Sequence, residues 1–213
     1  MGTISKGILG GFSGTVGNVI GGSWKGIYYM RSKPARRSSE PTEKQLEQQA
    51  KFALASRFIQ PLNGLLAITF KSYAIRMTGV NNALSYLLKN AVIGTYPNFS
   101  IDFEAVLISR GDLPNVINPT ATAFGTNSVK FDWTNNSGTG KAKANDKAIL
   151  VIYSPTDKLA VYTIGSAFRS AATETFNAAI FNGQTVQTYI GFMSEDGKDL
   201  ASSIYTGSVT LLS

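Results

Sequence analysis

The chain changes character near residue 100, and this change limits the folds that it can adopt. Residues 1–99 contain twelve Lys and Arg against three Asp and Glu, whereas residues 100–213 contain eight against ten. The first region is rich in glycine and then shows helical periodicity, while the second shows short runs with the alternation of β-strands. A basic arm joined to a nearly neutral β module is typical of assembly and binding proteins.

The glycine-rich segment predicts an extended arm rather than a helix. Nine glycines lie between residues 2 and 26, and each would cost a helix about 1 kcal/mol relative to alanine. Regularly spaced apolar residues favour strands that approach another backbone closely over a floppy tail. A hairpin of residues 17–20 and 25–31 around Gly21-Gly22 is predicted. The predicted anchors of this assembly arm are Phe12, Val16, Ile20, Trp24, Tyr28 and Tyr29.

A cluster of positive charge ends the arm. Residues 1–37 carry six basic side chains and no acidic one. Clusters of Lys and Arg on flexible arms bind nucleic acid or phosphate by releasing counterions. The alternatives are a solvated linker and contact with an acidic surface of a neighbouring subunit. The predicted basic patch consists of Lys25, Arg31, Lys33, Arg36 and Arg37.

Three helical segments are predicted between the arm and the β region. Thr42 and Gln45 form a capping-box pattern at the start of the first helix. Pro61 separates the first helix from the second, and the third follows Gly79 and ends at Gly94. Too many positions are apolar for exposed helices, so they must pack on each other, on the β module or on a neighbouring copy.

About seven short strands are predicted after residue 99. Turn residues separate them, and seven short strands at regular spacing predict a β-sandwich. The predicted runs are Phe103–Leu107, Val129–Trp133, Ile149–Tyr153, Ala160–Ile164, Phe176–Ile180, Val186–Gly191 and Val209–Leu211.

The strand region resembles fibronectin type III domains. Residues 131–133 (FDW) place an aromatic residue on an early strand, and residues 148–153 (AILVIY) look like a central strand. Residues 188–194 with Gly197 are similar to the penultimate strand and the loop that follows it. The resemblance covers roughly residues 105–213, and it implies a binding or spacer module rather than an enzyme.

A second resemblance covers the whole chain. Residues 10–19 (GGFSGTVGNV), 23–27, 30–34, 91–97 and 108–111 are similar to a Bacteroidota family of unknown function. The order of glycine arm, Lys-Pro and Thr-x-x-Gln also resembles segments of phage structural proteins. The resemblance to phage structural proteins implies an assembly role.

Histidine and cysteine are both absent from the sequence. Their absence removes Ser-His-Asp triads, cysteine nucleophiles, and imidazole or thiolate metal ligands. We therefore expect no catalytic residues, no metal, no cofactor and no enzymatic activity. The N-terminal residues lack the pattern of a Sec-type signal peptide, and no stretch is apolar enough for a membrane span. This predicts cytoplasmic synthesis, with assembly or release to an extracellular or virion-like particle.

These patterns predict an α+β protein in three parts. A Gly-rich basic arm spans residues 1–40, a helical region spans 41–98, and a fibronectin-III-like antiparallel β-sandwich spans 99–213. We expect a structural protein that forms a homo-oligomer or polymer, or docks on a filament, surface or phage-like particle, through its arm. The alternatives are a nucleic-acid-binding protein that uses the basic patch, and a surface adhesion or glycan-binding module formed by the sandwich.

Overall fold

The chain forms two compact units, residues 1–43 and residues 44–213. The helices belong to the second unit together with the sandwich, because their apolar faces share a core with one of its sheets. The computed structural model describes residues 2–4, 10–24, 26–35, 40–73 and 77–212.

The first unit is an antiparallel sheet of four strands that pair in chain order. The predicted turn at Gly21-Gly22 is wrong, because both glycines lie inside the third strand. Trp24 pairs with Ile27 instead, and Gly26 adopts a left-handed conformation with φ +82°. The strands are β1 (Thr3–Ile4), β2 (Phe12–Val16), β3 (Val19–Trp24) and β4 (Ile27–Ser32).

The helices begin and end largely where local signals place them. Helix α1 (Glu43–Ile59) begins directly after Thr42, and Pro61 lies at the start of a short 3₁₀ turn, where a missing N–H is tolerated. Helix α2 (Asn63–Thr69) follows that turn. Helix α3 (Gly79–Asn90) is capped by Thr78, whose Oγ1 accepts a hydrogen bond of 3.2 Å from the N–H of Asn81.

The third helix is shorter than predicted. It ends at Asn90, and the chain continues as a β-hairpin of β5 (Val92–Thr95) and β6 (Asn98–Ile101). Gly94, the predicted helix end, lies inside β5 with φ +95°.

Seven further strands form two antiparallel sheets, one ordered β10-β9-β12-β13 and the other β11-β8-β7. Apolar residues of both sheets share one core, so the predicted α+β fold with an antiparallel sandwich is confirmed. The predicted strand at residues 103–107 is wrong, since this segment is a loop. The strands are β7 (Ile117–Phe124), β8 (Ser128–Thr134), β9 (Lys147–Ser154), β10 (Leu159–Phe168), β11 (Thr173–Asn177), β12 (Thr185–Met193) and β13 (Ile204–Thr210).

Strand β9 lies between two apolar layers. Ile149 and Val151 pack in a core with the helices, while Leu150 and Ile152 pack in the core between the two sheets. A strand that is covered on both faces needs apolar residues at every position, which explains the uninterrupted run AILVIY. The second unit therefore has three layers: helices, a four-stranded sheet and a three-stranded sheet. Within the described ranges, no helix combines the length and hydropathy that a membrane span requires.

A buried ion pair joins loops at one end of the sandwich. The side chains of Arg169 and Asp146 are both fully buried, and Arg169 Nε lies 3.0 Å from Asp146 Oδ2. Arg169 also donates to Asn136 Oδ1 at 2.7 Å and to the Pro114 carbonyl at 2.8 Å, and it lies over the ring of Phe192. Burial lowers the pKa of the Arg169 guanidinium, and Asp146 opposes that shift. Arg169 thus connects its own segment to four others, those of Pro114, Asn136, Asp146 and Phe192.

Candidate functional site: the edge of the N-terminal sheet

The glycines of the N-terminal sheet leave room for aromatic rings. A Cβ atom at Gly11 would overlap the ring of Tyr28, and one at Gly22 would lie 2.9 Å from the hydroxyl of Tyr29. An aromatic ring across a glycine covers backbone that the glycine itself leaves bare. The positions of the glycines therefore allow the aromatic rings to pack against the backbone of this sheet. This explains why aromatic residues and glycines occur together in the segment.

The six predicted anchors divide between the two faces of this sheet. Val16 pairs with Val19, Gly22 with Tyr29, and Ser23 with Tyr28. Directly opposed residues of an antiparallel ladder point to the same side, and successive residues alternate. One face therefore carries Ile20, Trp24 and Tyr29, and the other carries Phe12, Val16 and Tyr28.

The sheet has almost no buried core of its own. Of the strand residues whose burial is described, only Gly21 is buried, and the exposed fractions of Trp24, Tyr28 and Tyr29 are 52%, 53% and 47%. Met30 is 72% exposed. Contiguous exposed apolar surface of this kind marks interaction sites in soluble proteins.

Strand β4 is a free edge of the sheet. Among the described residues it pairs with β3 alone, and the N–H of Lys33 donates to the carbonyl of Asn18 at 2.7 Å. Because successive residues of a strand direct their backbone groups to opposite edges, residues 28, 30 and 32 direct theirs away from β3. All six residues of β4 are exposed, and the ladder with β3 has no bulge. A long apolar edge without a bulge is a template for another strand.

The structure places the predicted arm residues in different roles. Tyr28 and Tyr29 lie on the edge strand, whereas the other four anchors lie on β2 and β3 and present only their side chains. From the basic patch, Arg31 is the exposed partner of Ile20 on the face that carries Tyr29, and Lys33 is exposed just beyond β4. Lys25, Arg36 and Arg37 lie outside the described residues.

Sequence reasoning missed Ile27, Met30 and Ser32 as members of the site. The signal was present as the run IYYMRS between Gly26 and Pro34, which has the length and composition of a strand. The predicted strand at residues 25–31 includes Ile27 and Met30, but nothing in the sequence shows that this strand forms an exposed edge of the sheet.

Residues 11–207 match the model of a family of unknown function, DUF6266. The chain belongs to this family. The match begins one residue before β2 and ends inside β13, so it includes strands of both compact units. The predicted membership of a family of unknown function is confirmed, while the Bacteroidota origin and the likeness to phage proteins stay predictions.

The remaining comparisons add little beyond this membership. No curated protein matches the chain. Among solved structures, the fibronectin type III domain of the human collagen alpha-1(XX) chain is similar with a TM-score of 0.36 and 10% identity. That match covers 49% of this chain and 91% of the domain. The two sheets and their strand order, rather than this likeness, define the sandwich.

The tripeptide Arg110-Gly111-Asp112 matches the integrin-binding sequence but is held against the body of the second unit. The N–H and carbonyl of Gly111 both hydrogen-bond to the Ser202 hydroxyl, at 3.3 and 3.0 Å. A Cβ at Gly111 would overlap the backbone of Leu200. The glycine is thus required for close packing, and the tripeptide is not presented on a protruding loop.

The acidic loop at residues 194–199 is a hydrogen-bonded turn. Ser194 Oγ donates to Asp196 Oδ1 at 2.7 Å and accepts from the N–H of Asp199 at 2.9 Å. The hydrogen bond from Ser194, with further bonds from Lys198, lowers the pKa of Asp196 to about 2. In the described part of the chain, no three acidic side chains are grouped so that they could hold a metal ion.

Proposed function

We propose that this protein is a non-enzymatic structural subunit that polymerises by adding a strand of a neighbouring copy to the edge of β4. The observation that carries the proposal is β4 itself, a largely apolar strand of six exposed residues that, within the described part of the chain, pairs on one side only. Strand addition satisfies the outward backbone groups of residues 28, 30 and 32, and side chains on alternate faces supply selectivity.

The small size of the first unit suggests that a partner contributes to its stability. The unit has 43 residues and no cysteine for a disulfide, and the core of so small a unit rarely contributes more than about 3–5 kcal/mol. Fully burying one large apolar side chain contributes about 1.5–3 kcal/mol. A neighbouring strand that covers Ile27, Tyr28 and Met30 would therefore add to the stability of the sheet.

The charge distribution favours a head-to-tail contact over a two-fold dimer. Residues 1–37 contain no acidic side chain, so pairing β4 with β4 of a second copy would bring like charges together. Residues 100–213 carry a slight excess of acidic residues. Contact between the N-terminal sheet of one copy and the sandwich of the next is attractive, and such a contact repeats without closing.

A proline at residue 30 tests strand addition directly. Met30→Pro removes one outward N–H and leaves the hydrogen bonds between β3 and β4 in place. The matched control Met30→Ala removes the same side chain but keeps the N–H. We expect light scattering over a concentration series to show particles for the unmodified chain, smaller or fewer particles for Met30→Ala, and monomers for Met30→Pro.

Two outcomes would contradict the proposal. A monomeric unmodified chain at all concentrations would exclude self-assembly, and equal particle sizes for the two variants would exclude backbone pairing at β4. Residues 44–213 retain both apolar cores, so this fragment is expected to be monomeric.

Binding of single-stranded nucleic acid is a second candidate function. Arg31 lies on the face of the sheet that also carries Trp24 and Tyr29, which combines a cation with exposed aromatic rings. Bases stack on such rings, and the phosphate contacts are sensitive to salt. Quenching of tryptophan fluorescence by a dT20 oligonucleotide, lost between 50 and 300 mM salt and in Arg31→Gln, would support it; no quenching at 50 mM would exclude it.

A further inference from the structure

The second unit contains an aromatic cavity that the assembly proposal does not use. The cavity has a volume of about 300 Å³ and lies between α1, the β5–β6 hairpin and the turn after β9. This volume is at the lower end of the ~300–1,000 Å³ range of small-molecule sites. Every residue that lines it belongs to residues 44–213.

Three aromatic rings surround one side of the cavity. The ring centroids of Phe58 and Tyr153 are 4.6 Å apart, and Phe103 lies 6.4 Å from Phe58 and 6.1 Å from Tyr153. Leu54 and Phe99 complete the apolar wall. Phe58 and Tyr153 are almost fully buried, so the inner surface is rigid and suits a flat apolar group.

The mouth of the cavity is positively charged. Arg57 on α1 and Lys158 in the turn after β9 line it and are both exposed. Neither forms an ion pair with any described residue, and no Asp or Glu is among the lining residues. The Tyr153 hydroxyl likewise has no hydrogen-bond partner in the described ranges. The cavity therefore combines an apolar interior with two cationic side chains and one hydroxyl group that is available to donate a hydrogen bond.

We propose that this cavity binds a small aryl carboxylate, with the ring against Phe58 and Tyr153 and the carboxylate between Arg57 and Lys158. Charge complementarity selects an anion over a neutral or cationic ligand of the same shape. The aromatic wall selects a ring over an aliphatic chain of equal charge.

Calorimetric titration of the full chain with three ligands of one shape tests the ligand class. The probes are 3-phenylpropionate, its neutral amide 3-phenylpropionamide and the cation 3-phenylpropylamine. We expect a Kd below about 1 mM for the carboxylate at low salt, at least fivefold weaker binding of the amide, and no binding of the amine. Equal affinity for carboxylate and amide, or no binding of the carboxylate, would overturn the proposal.

Two sets of variants locate the site. Arg57→Gln and Lys158→Gln should each weaken binding of 3-phenylpropionate about two- to fivefold. Lys44→Gln removes the same charge thirteen residues earlier on α1, about 20 Å away along the helix, and should leave the Kd unchanged. A loss in Lys44→Gln equal to that in Arg57→Gln would show that only net charge matters and would overturn the assignment.

Filling the cavity provides an independent readout. Leu54→Trp should abolish binding while circular dichroism and the melting temperature confirm a folded chain; unchanged binding would place the ligand elsewhere. Should this variant not fold, the charge variants alone decide. A peptide that ends in Gly-Gly-Phe with a free carboxylate carries the same chemistry, and tighter binding of that peptide than of 3-phenylpropionate would overturn the small-molecule assignment.

Discussion

Strands β9 and β4 are both composed largely of apolar residues, but they lie in opposite surroundings. Seven of the eight residues of β9 are buried, with helices on one face and a second sheet on the other. All six residues of β4 are exposed. An apolar strand needs other apolar surface packed against it. For β9 this chain provides that surface, and for β4 its described residues do not. The cover that β4 lacks is the basis of the proposed assembly.

The edges of the two units differ in the same way. In the four-stranded sheet of the second unit, β10 has a bulge between Ile164 and Phe168, and Gly165 adopts φ +81° there. At the other end of that sheet, β13 lies beside β7. Bulges and neighbouring strands protect edges from unwanted pairing. Strand β4 has neither protection among the described residues, which distinguishes an edge available for pairing from one that is blocked.

Truncating one phenylalanine in each unit should give the largest contrast. Phe131 is fully buried between the sheets, so Phe131→Ala should lower the free energy of unfolding by about 4 kcal/mol. Phe12 lies in the other unit and in neither core cluster, so Phe12→Ala should change unfolding of the sandwich by less than ~0.5 kcal/mol.

Urea unfolding followed by circular dichroism measures both variants. A loss of stability in Phe12→Ala that approaches that in Phe131→Ala would show that the two units unfold together. The energetic contrast between the units would then be invalid.

Removing the buried cation should have the next largest effect. Arg169→Met leaves Asp146 charged and buried without its partner, which should cost about 3 kcal/mol. The double variant Arg169→Met, Asp146→Asn removes both charges and should recover a large part of that loss in the same urea assay. A double variant as unstable as the single one would show that the remaining contacts of Arg169, rather than the ion pair, stabilise this end of the sandwich.

A buried tyrosine should make the sandwich sensitive to alkali. Burial raises the pKa of Tyr189 far above its ordinary range, and its hydroxyl donates to the Phe103 carbonyl at 3.0 Å. Above about pH 10 the unfolded tyrosine loses its proton while the folded one keeps it, so the folded state binds more protons. Stability should fall by up to ~1.4 kcal/mol per pH unit above pH 10.

Tyr189→Phe tests the origin of this slope. The variant should lose about 1 kcal/mol at pH 8 with the missing hydrogen bond, and its stability should decline less steeply between pH 10 and 11. Equal slopes for the two proteins would assign the alkaline sensitivity to other groups.

Local signals predicted many of the elements because they depend on neighbouring residues. Thr42 marks the start of α1, Pro61 its end, and alternation or continuous apolarity marks β8 and β9. The loop at residues 103–107 shows why such signals fail. Its alternation imitates a strand, but the carbonyl of Phe103 bonds the Tyr189 hydroxyl instead of a neighbouring strand. A side chain 86 residues away thus takes the place of a ladder partner.

The sequence predicted which types of residue form the candidate site but not how those residues are arranged. The aromatic anchors and the basic residues are visible in the sequence, yet their division between two faces depends on where the chain turns. The predicted turn at Gly21-Gly22 would interrupt the segment that forms β3, whereas in the structure β3 continues to Trp24 and pairs with Ile27–Ser32. The aromatic cavity had no sequence signal, because Phe58, Phe103 and Tyr153 come from a helix, a loop and a strand.

By itself the sequence determined the type and approximate order of the elements, the exclusion of histidine and cysteine chemistry, and the sandwich class. Tertiary structure alone decided that the helices cover β9, that Arg169 pairs with Asp146, and that β4 is left open. The reason is physical. Periodicity and capping are properties of adjacent residues, whereas cover, ion pairing and edge exposure depend on contacts between segments that meet only after the chain has folded.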